Sequence, residues 1–110
     1  MGASITRLMQ NKCLKIYSAE MYSIDYTRRF RKDVRLCVKR GLDISKIQKV
    51  VSLLEQKGQL PQVYKPHKLS GDYVNCWECH IQPDWLLVWE QNDEQLTLLF
   101  LRTGSHSDIF

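Results

Sequence analysis

Three apolar runs near the C-terminal end constrain the fold of this chain more than any other feature of the sequence. They cover residues 75–81, 85–90 and 96–102, and polar turns at 82–84 and 91–94 separate them. The first run alternates between polar and apolar residues, whereas the other two are almost continuously apolar. Strands joined by turns this short pair as antiparallel neighbours. The sequence therefore predicts a three-stranded antiparallel meander.

Two helices are predicted ahead of the meander, after a strand-like segment at 22–27. The apolar residues of the first helix recur at helical spacing, at Phe30, Val34, Cys37 and Val38. The same spacing marks a second helix through Ile44, Ile47, Val50, Val51 and Leu54. Gly41 and Gly58 are suited to end these helices. A short N-terminal strand, a two-helix hairpin and a small antiparallel sheet together make an α+β fold.

The length of 110 residues suits one domain. Residues 1–20 show weak periodicity, and Met21 is a candidate start of the folded part. We therefore predict an N-terminal extension at 1–20 and a domain at 21–110. Residues 1–20 lack the continuous apolar core of a secretory signal, and no stretch approaches the ~20 apolar residues of a membrane span. We expect a cytoplasmic protein with reduced thiols that makes no membrane contact.

Charge is distributed unevenly along the chain. Residues 1–70 hold 15 Lys and Arg against 5 Asp and Glu, a net of +10. Residues 71–110 hold a single basic residue, Arg102, against 7 acidic ones, a net of −6. Such an asymmetry indicates either a basic surface that attracts a polyanion or simply a solvated helix face. Charge alone does not decide between the two.

The pentapeptide CWECH at 76–80 resembles several cofactor motifs. Cys76 and Cys79 have the spacing of a zinc ligand pair or a redox dithiol, and with His80 they match haem attachment. In a strand, however, residues 76 and 79 point to opposite faces and cannot hold one metal ion. The other cysteines, Cys13 and Cys37, have no matching pair spacing. We therefore expect no metal, haem or redox dithiol at this motif.

Histidines close to the predicted strand ends are the better candidates for chemistry. The chain has three of them, at His67, His80 and His106. Strand alternation places His80 on the same face as Glu78, just before the turn that contains Asp84. An antiparallel meander can bring such residues, together with Arg102, to one side of the sheet. The spacing alone does not establish that they converge.

Three segments resemble successive motifs of the YafQ branch of the RelE superfamily. They are LPQVYKPHKLSG at 60–71, ECHIQPDWLLVW at 78–89 and LRTGSHSDIF at 101–110. The superfamily comprises toxins of bacterial type II toxin–antitoxin systems. The resemblance covers about residues 21–110 and leaves residues 1–20 without a counterpart. It implies the RelE-like fold, in which two helices pack against a small antiparallel sheet.

The resemblance also implies an active site and a reaction. The family's catalytic set falls on His67, His80, Asp84, Arg102 and His106. Substrate binding is expected at Phe110, Lys65, Lys68 and, more weakly, Glu78. The implied activity is a ribosome-dependent mRNA endonuclease that uses acid and base groups with no metal or other cofactor. In this scheme His106 is the general acid and Arg102 binds the scissile phosphate, while His80 or Asp84 is the base or its orienting partner.

The implied partners are a cognate antitoxin, the ribosome and mRNA. The basic face would contact ribosomal RNA through phosphates. It comprises the basic residues from Arg28 to Arg40 with Lys46, Lys49, Lys65 and Lys68. The toxin–antitoxin complex would bind operator DNA through the antitoxin. One alternative is a non-catalytic RNA-binding or regulatory module, which needs only the basic face.

Overall fold

The computed structural model describes residues 21–110. The predicted extension at 1–20 lies outside the described residues. The strands are β1 (Ser23–Tyr26), β2 (His67–Lys68), β3 (Cys76–Gln82), β4 (Trp85–Asn92) and β5 (Thr97–Gly104). The α-helices are α1 (Arg28–Lys39), α2 (Ile44–Lys57) and the single-turn α3 (His106–Ile109). Short 3₁₀ turns at Gln62–Tyr64 and Gly71–Tyr73 flank β2.

The five strands form one sheet in the order β1-β5-β4-β3-β2. The predicted meander is confirmed, because β3 pairs antiparallel with β4 and β4 with β5. Strand β1 lies parallel to β5 at one edge, a pairing that the sequence analysis did not anticipate. The segment at 60–71 contains β2, which pairs antiparallel with β3 at the other edge. The α+β class is confirmed, with a mixed sheet.

Local sequence determines where the two long helices begin and end. The Thr27 hydroxyl accepts a hydrogen bond from the Phe30 backbone NH and caps α1, and the Asp43 carboxylate does the same for α2 through Ser45. Gly58 ends α2 in the left-handed conformation, with φ of 65°. A Cβ at this position would also collide with the Tyr22 phenol. Both the left-handed backbone conformation and the contact with Tyr22 therefore favour glycine at this position.

Both faces of the sheet are covered. The larger core lies between the sheet and helices α1 and α2, and its buried members include Phe30, Val50, Leu54, Trp85, Trp89 and Phe100. A smaller cluster on the other face consists of Cys76, Leu86, Val88 and Ile109, with Leu69, Tyr73 and Leu101 packed against it. Helix α3 therefore docks on the face that carries Cys76. Among the described residues, no helix has the length and hydropathy needed to cross a membrane.

One prediction for α1 is wrong. Val38 was assigned to the apolar stripe, but 54% of it is exposed. The buried positions of α1 are instead Phe30, Asp33 and Cys37, with Val34 partly buried. A helix advances about 100° per residue, so 30, 33, 34 and 37 form one arc and 38 lies beside it. An aspartate therefore lies within the face that α1 turns toward the sheet.

Candidate active site

Strand register brings the predicted site residues to one region. His67 on β2 lies opposite Glu78 on β3. His80, two residues further along β3, pairs with Leu86, which in turn pairs with Gly104 at the end of β5. His106 follows two residues after Gly104, in the first turn of α3. Three histidines that are far apart in sequence are thereby placed side by side.

The three imidazoles form a row, with His80 in the middle. Its ring centroid lies 6.3 Å from that of His67 and 5.9 Å from that of His106. The Phe110 ring extends the row, with its centroid 6.4 Å from that of His106. The side chains of His67 and His106 are about half exposed, and that of His80 is 24% exposed. The row therefore remains accessible to a substrate.

Glu78 lies beneath two of the histidines. Its side chain is only 6% exposed, and Oε1 is 3.1 Å from Nε2 of His67 and 3.9 Å from Nε2 of His80. Its second oxygen, Oε2, is buried without a hydrogen-bond partner among residues 21–110. A carboxylate buried in this position contacts the imidazoles and is not open to a molecule in solvent.

The carbonyl oxygens of nearby loops fix the other ring nitrogens. Nδ1 of His80 is 3.2 Å from the Pro83 carbonyl oxygen, across the irregularity that ends the β3–β4 pairing. Nδ1 of His67 is 2.9 Å from the carbonyl oxygen of Lys65. Because a carbonyl oxygen only accepts, each Nδ1 is the donor in these bonds. The tautomers of two active-site rings follow from this backbone geometry.

Asp84 holds His106. One carboxylate oxygen, Oδ1, is 3.1 Å from both the backbone nitrogen and Nδ1 of His106. Hydrogen bonds from the His106 backbone NH and then from its ring lower the pKa of Asp84 below its ordinary value. Asp84 is therefore ionised at neutral pH and accepts a hydrogen bond from Nδ1. The Nε2 side of His106 is left for chemistry.

Helix α3 is anchored at both of its ends. Ser105 and Asp108 form a capping box, and Ile109 is buried in the smaller cluster. The Asp108 carboxylate also accepts two hydrogen bonds from Arg40 at the end of α1, at 2.6 and 3.2 Å. The Arg40 hydrogen bond is the main reason that the pKa of Asp108 lies well below its ordinary value. The single turn that carries His106 is thus fixed to the body of the protein.

Arg102 is held by two neighbours and is largely buried, with a side chain 13% exposed. Its Nε donates to Asp33 Oδ2 on α1 at 2.7 Å, and its Nη2 donates to the Asp108 carbonyl oxygen at 3.0 Å. The hydrogen bond to Asp33 is the main reason that the pKa of Arg102 is raised above its ordinary value, and Tyr73 contributes more weakly. The guanidinium is a fixed cation at the end of β5.

Two residues of this region were missed by sequence reasoning. The Tyr73 ring meets that of Phe110 edge to face, with centroids 5.4 Å apart, and its phenol interacts with Arg102. Asp33 binds Arg102 from α1. Asp33 had a sequence signal, because it lies three residues after Phe30 and four before Cys37, on the apolar face of a helix. Tyr73 carried no comparable signal.

The remaining predicted substrate-binding residues lie at the rim. Phe110 is 61% exposed. Lys65 is exposed just before β2 and has a positive φ of 50°. Lys68 is also exposed, and its Nζ lies 5.6 Å from the centre of the Trp77 ring. Lys65 lies beside His67, whereas Lys68 alternates with His67 along β2 and lies against Trp77 on the opposite face of the sheet.

The cysteines of CWECH are separated as the strand alternation predicted. Cys79 is buried in the core beneath the helices, whereas Cys76 belongs to the cluster on the other face. Burial raises the pKa of the Cys79 thiol far above its ordinary value. Within residues 21–110, no three His, Cys, Asp or Glu side chains are arranged to hold a metal ion. The resemblance of CWECH to a cofactor motif therefore has no counterpart in this geometry.

A family model described as the bacterial toxin of type II toxin–antitoxin systems, YafQ, matches residues 22–110. The chain belongs to this YafQ toxin family. It is 38% identical over 88 residues to the mRNA interferase toxin YafQ of Escherichia coli K12, a match that covers 79% of this chain and 94% of that protein.

Solved structures agree with this assignment. The chain resembles the toxin in the Escherichia coli DinJ–YafQ toxin–antitoxin complex, with a TM-score of 0.75 and 36% identity over 82% of this chain and 98% of that one. It also resembles a metal-bound toxin from Helicobacter pylori, with a TM-score of 0.71 and 38% identity over 82% of this chain and all of that one. The RelE-like fold expected from the motifs is thereby confirmed.

Proposed function

We propose that this protein is the toxin of a type II toxin–antitoxin system and cleaves mRNA on the ribosome in the bacterial cytoplasm. The observation that carries the proposal is the row of three imidazoles on one face of the sheet, in which each ring is held by its own partner. The Escherichia coli relative is an mRNA interferase toxin, which supports the same activity here. The reaction needs a base, an acid and charge compensation at the phosphate.

The proposed reaction is attack by the ribose 2′-OH on the adjacent phosphorus. The base takes the 2′ proton, the new O–P bond closes a 2′,3′-cyclic phosphate, and the bond to the 5′-oxygen breaks. The acid gives its proton to that leaving oxygen. Protons and charges balance without a metal ion or other cofactor. Histidine suits both proton transfers because its ordinary pKa of about 6.5 lies close to working pH.

His80 is the base in this proposal. Its Nδ1 donates to the Pro83 carbonyl oxygen, so the neutral ring carries its lone pair on Nε2. Nε2 lies 3.9 Å from Glu78 Oε1, too far for a hydrogen bond that would occupy it. The lone pair is therefore free to accept the 2′ proton. Asp84, the other candidate base, is disfavoured because it is ionised and engaged by His106.

His106 is the acid, and Asp84 is its orienting partner. The carboxylate of Asp84 accepts a hydrogen bond from Nδ1–H and stabilises the imidazolium, whose Nε2 proton goes to the leaving 5′-oxygen. His67 plays a different part, because both of its ring nitrogens face acceptors, Lys65 O and Glu78 Oε1. Because both nitrogens are engaged in this way, His67 is assigned to holding the substrate rather than to proton transfer.

Arg102 compensates the charge that develops on the phosphate, since guanidinium stays protonated and matches phosphate geometry. Phe110, with Tyr73 at its edge, offers a ring surface on which an unpaired base stacks. Lys65 binds the RNA backbone beside His67, whereas Lys68 lies on the opposite face of the sheet and is given no part in the site. Glu78 is assigned a positioning role beneath the histidines rather than direct substrate contact, because its carboxylate is buried.

The partners in this proposal are a cognate antitoxin, the ribosome and mRNA. The exposed basic residues of α1 supply phosphate contacts to ribosomal RNA and a surface for an acidic antitoxin. The Escherichia coli relative is known in complex with its antitoxin DinJ, which supports an equivalent partner here. Operator DNA would be bound through the antitoxin.

The test is induced expression in a bacterium with mapping of mRNA 5′ ends. The wild type is expected to arrest growth and to produce new ends within translated codons. His106→Ala should lower cleavage by at least about 100-fold, because a general acid contributes that much. Ser107→Ala is the matched control, since Ser107 is exposed on the same turn. If the wild type accumulates as folded protein without cleavage or arrest, the nuclease proposal fails and a non-catalytic RNA-binding role replaces it.

A further inference from the structure

Helix α1 carries one buried carboxylate, and it differs in charge and in burial from the exposed basic residues of that helix. Asp33 is the only acidic residue between positions 28 and 40, among seven Lys and Arg. It is 8% exposed and lies between Phe30 and Cys37 on the face packed against the sheet. A buried charge is costly unless it is paired and hydrogen-bonded. A buried Asp33 on an apolar face is therefore expected to be paired with another group.

That partner is the end of β5. Oδ2 of Asp33 accepts from Arg102 Nε at 2.7 Å and from the Thr103 backbone NH at 3.1 Å. Its other oxygen, Oδ1, is 3.9 Å from Nε of Arg29, which is exposed on the preceding turn of α1. Two short bonds thus join one carboxylate oxygen to consecutive residues of the strand that leads into the site.

These bonds restrict the guanidinium of Arg102. Asp33 occupies the Nε–H, and the carbonyl oxygen of Asp108 occupies an Nη2–H. Arginine has five N–H donors in one rigid plane, so fixing two of them fixes the directions of the other three. A long side chain that is free to rotate would instead have to be ordered each time a substrate binds.

We propose that Asp33 is a positioning residue, which orients Arg102 for the substrate phosphate before RNA arrives. The inference rests on the proposed role of Arg102 in cleavage. Asp33 touches no substrate and acts through the arginine alone. Preorganised charge is the form in which electrostatic stabilisation contributes most to a reaction. Helix α1, assigned above only to RNA and antitoxin binding, thereby also supports catalysis.

A purely structural role is the competing explanation. Through Thr103, Asp33 could simply tie α1 to the sheet, and its loss would then lower stability and activity together. The two roles differ in a double-mutant cycle with Arg102. A positioning residue has nothing left to position once Arg102 is removed. A structural residue still matters in that background.

The experiment is single-turnover cleavage of mRNA on programmed ribosomes with the full-length protein in excess. Asp33→Ala is expected to lower the maximal rate by about 100-fold, the usual effect of misplacing a catalytic group by about 1 Å. The half-saturating protein concentration should stay unchanged. Asp33→Asn keeps an acceptor oxygen and should recover much of the rate. Asp25→Ala, at an exposed aspartate on β1, is the control and should match the wild type.

The decisive comparison uses Arg102→Ala. Adding Asp33→Ala to it should cause no further loss of rate. The inference fails if the two losses multiply, or if folded Asp33→Ala cleaves at the wild-type rate. If circular dichroism shows that Asp33→Ala does not fold, the cycle is run by the same criteria with Asp33→Leu, which also removes the acceptor oxygens but fills the space on the apolar face. If Arg102→Ala is itself fully active, the proposed role of Arg102 fails first, and the positioning inference fails with it.

Discussion

Single side chains in this protein show how burial and partners set their chemistry. The three histidines have the same intrinsic properties, yet each faces different atoms. His67 lies between two acceptors, His80 keeps a free Nε2, and His106 is held by an ionised carboxylate. Their different proposed roles come from these neighbours and from nothing in the residue type itself.

Tyr26 offers a prediction about stability at the same scale. Its hydroxyl is buried without a hydrogen-bond partner among residues 21–110. An unsatisfied buried hydroxyl costs about 1–3 kcal/mol. Tyr26→Phe keeps the ring stacked on Phe30 and Phe100 and removes that cost. We expect the free energy of unfolding, measured with urea, to rise by about 1 kcal/mol, the lower end of that range.

The pH dependence of Tyr26→Phe checks the cause. Burial, with a smaller contribution from Glu55, raises the pKa of Tyr26 to about 12, against about 10 in an unfolded chain. Above pH 10 the unfolded state therefore ionises first, and the stability contributed by the neutral phenol is lost as pH rises toward 12. The advantage of Tyr26→Phe should grow over that window. A stability advantage that stays constant with pH would contradict this account. Tyr64→Phe, which removes the hydroxyl of another partly buried tyrosine, serves as the control.

At the scale of secondary structure, the single turn α3 depends on contacts outside itself. A helix of four residues is not stable alone. It is held by its capping box, by Ile109 in the smaller cluster and by the Arg40–Asp108 pair. Gly104 leaves room for this arrangement, because a Cβ there would lie 2.8 Å from Asp108 Oδ2. Its φ of 152° is also one that other residues rarely adopt.

Arg40→Ala tests this anchoring. The pair is partly exposed, so the global free energy of unfolding should fall only slightly. Cleavage should fall by more than that loss of stability explains, because α3 carries His106. Amide hydrogen exchange at 106–110 should accelerate while the sheet is unchanged. Arg35→Ala removes an exposed arginine of the same helix that does not bind α3, and it should leave the amide exchange at 106–110 unchanged.

The acid dependence of Arg40→Ala follows from Asp108. Its pKa is lowered in the folded state, so its contribution to stability is present above the unfolded value of about 3.9 and is lost as pH falls. The difference in stability between wild type and Arg40→Ala should therefore shrink below about pH 4. A difference that persists in acid would show that the pair is not its source.

At the scale of the whole molecule, charge is separated between the helices and the sheet. Helix α1 presents Arg28, Arg29, Arg31, Lys32, Arg35 and Lys39 to solvent, whereas residues 71–110 carry a net −6. A polyanion is therefore attracted to one side of the protein. The candidate active site lies where strands β2, β3 and β5 meet α3, next to the anchor points of α1.

Salt dependence of ribosome binding tests this separation. The triple variant R31Q/K32Q/R35Q removes three exposed charges from α1. The slope of log affinity against log salt concentration is negative, and each lost phosphate contact should reduce its magnitude by roughly 0.7–0.9. Lys57→Gln, at the end of α2, is the control and should leave the slope unchanged. An unchanged slope in the triple variant would exclude α1 from the RNA interface.

Much of the fold could be predicted because its signals are local. Helical periodicity, the glycine that ends α2 and the short turns of the meander each depend on residues a few positions apart. The motifs also identified the family, and they supplied the candidate site residues. Val38 was misplaced because an apolar residue beside a buried arc looks the same in sequence as one within it.

The sequence by itself determined the α+β class, the order of most elements and the identity of the candidate catalytic residues, since these follow from local pattern and residue type. Tertiary structure alone decided the parallel pairing of β1 with β5, the docking of α3 and the partner of each imidazole. It also placed Asp33 against Arg102, 69 positions away. Such contacts depend on how elements pack across the whole chain, and no local pattern in the sequence encodes them.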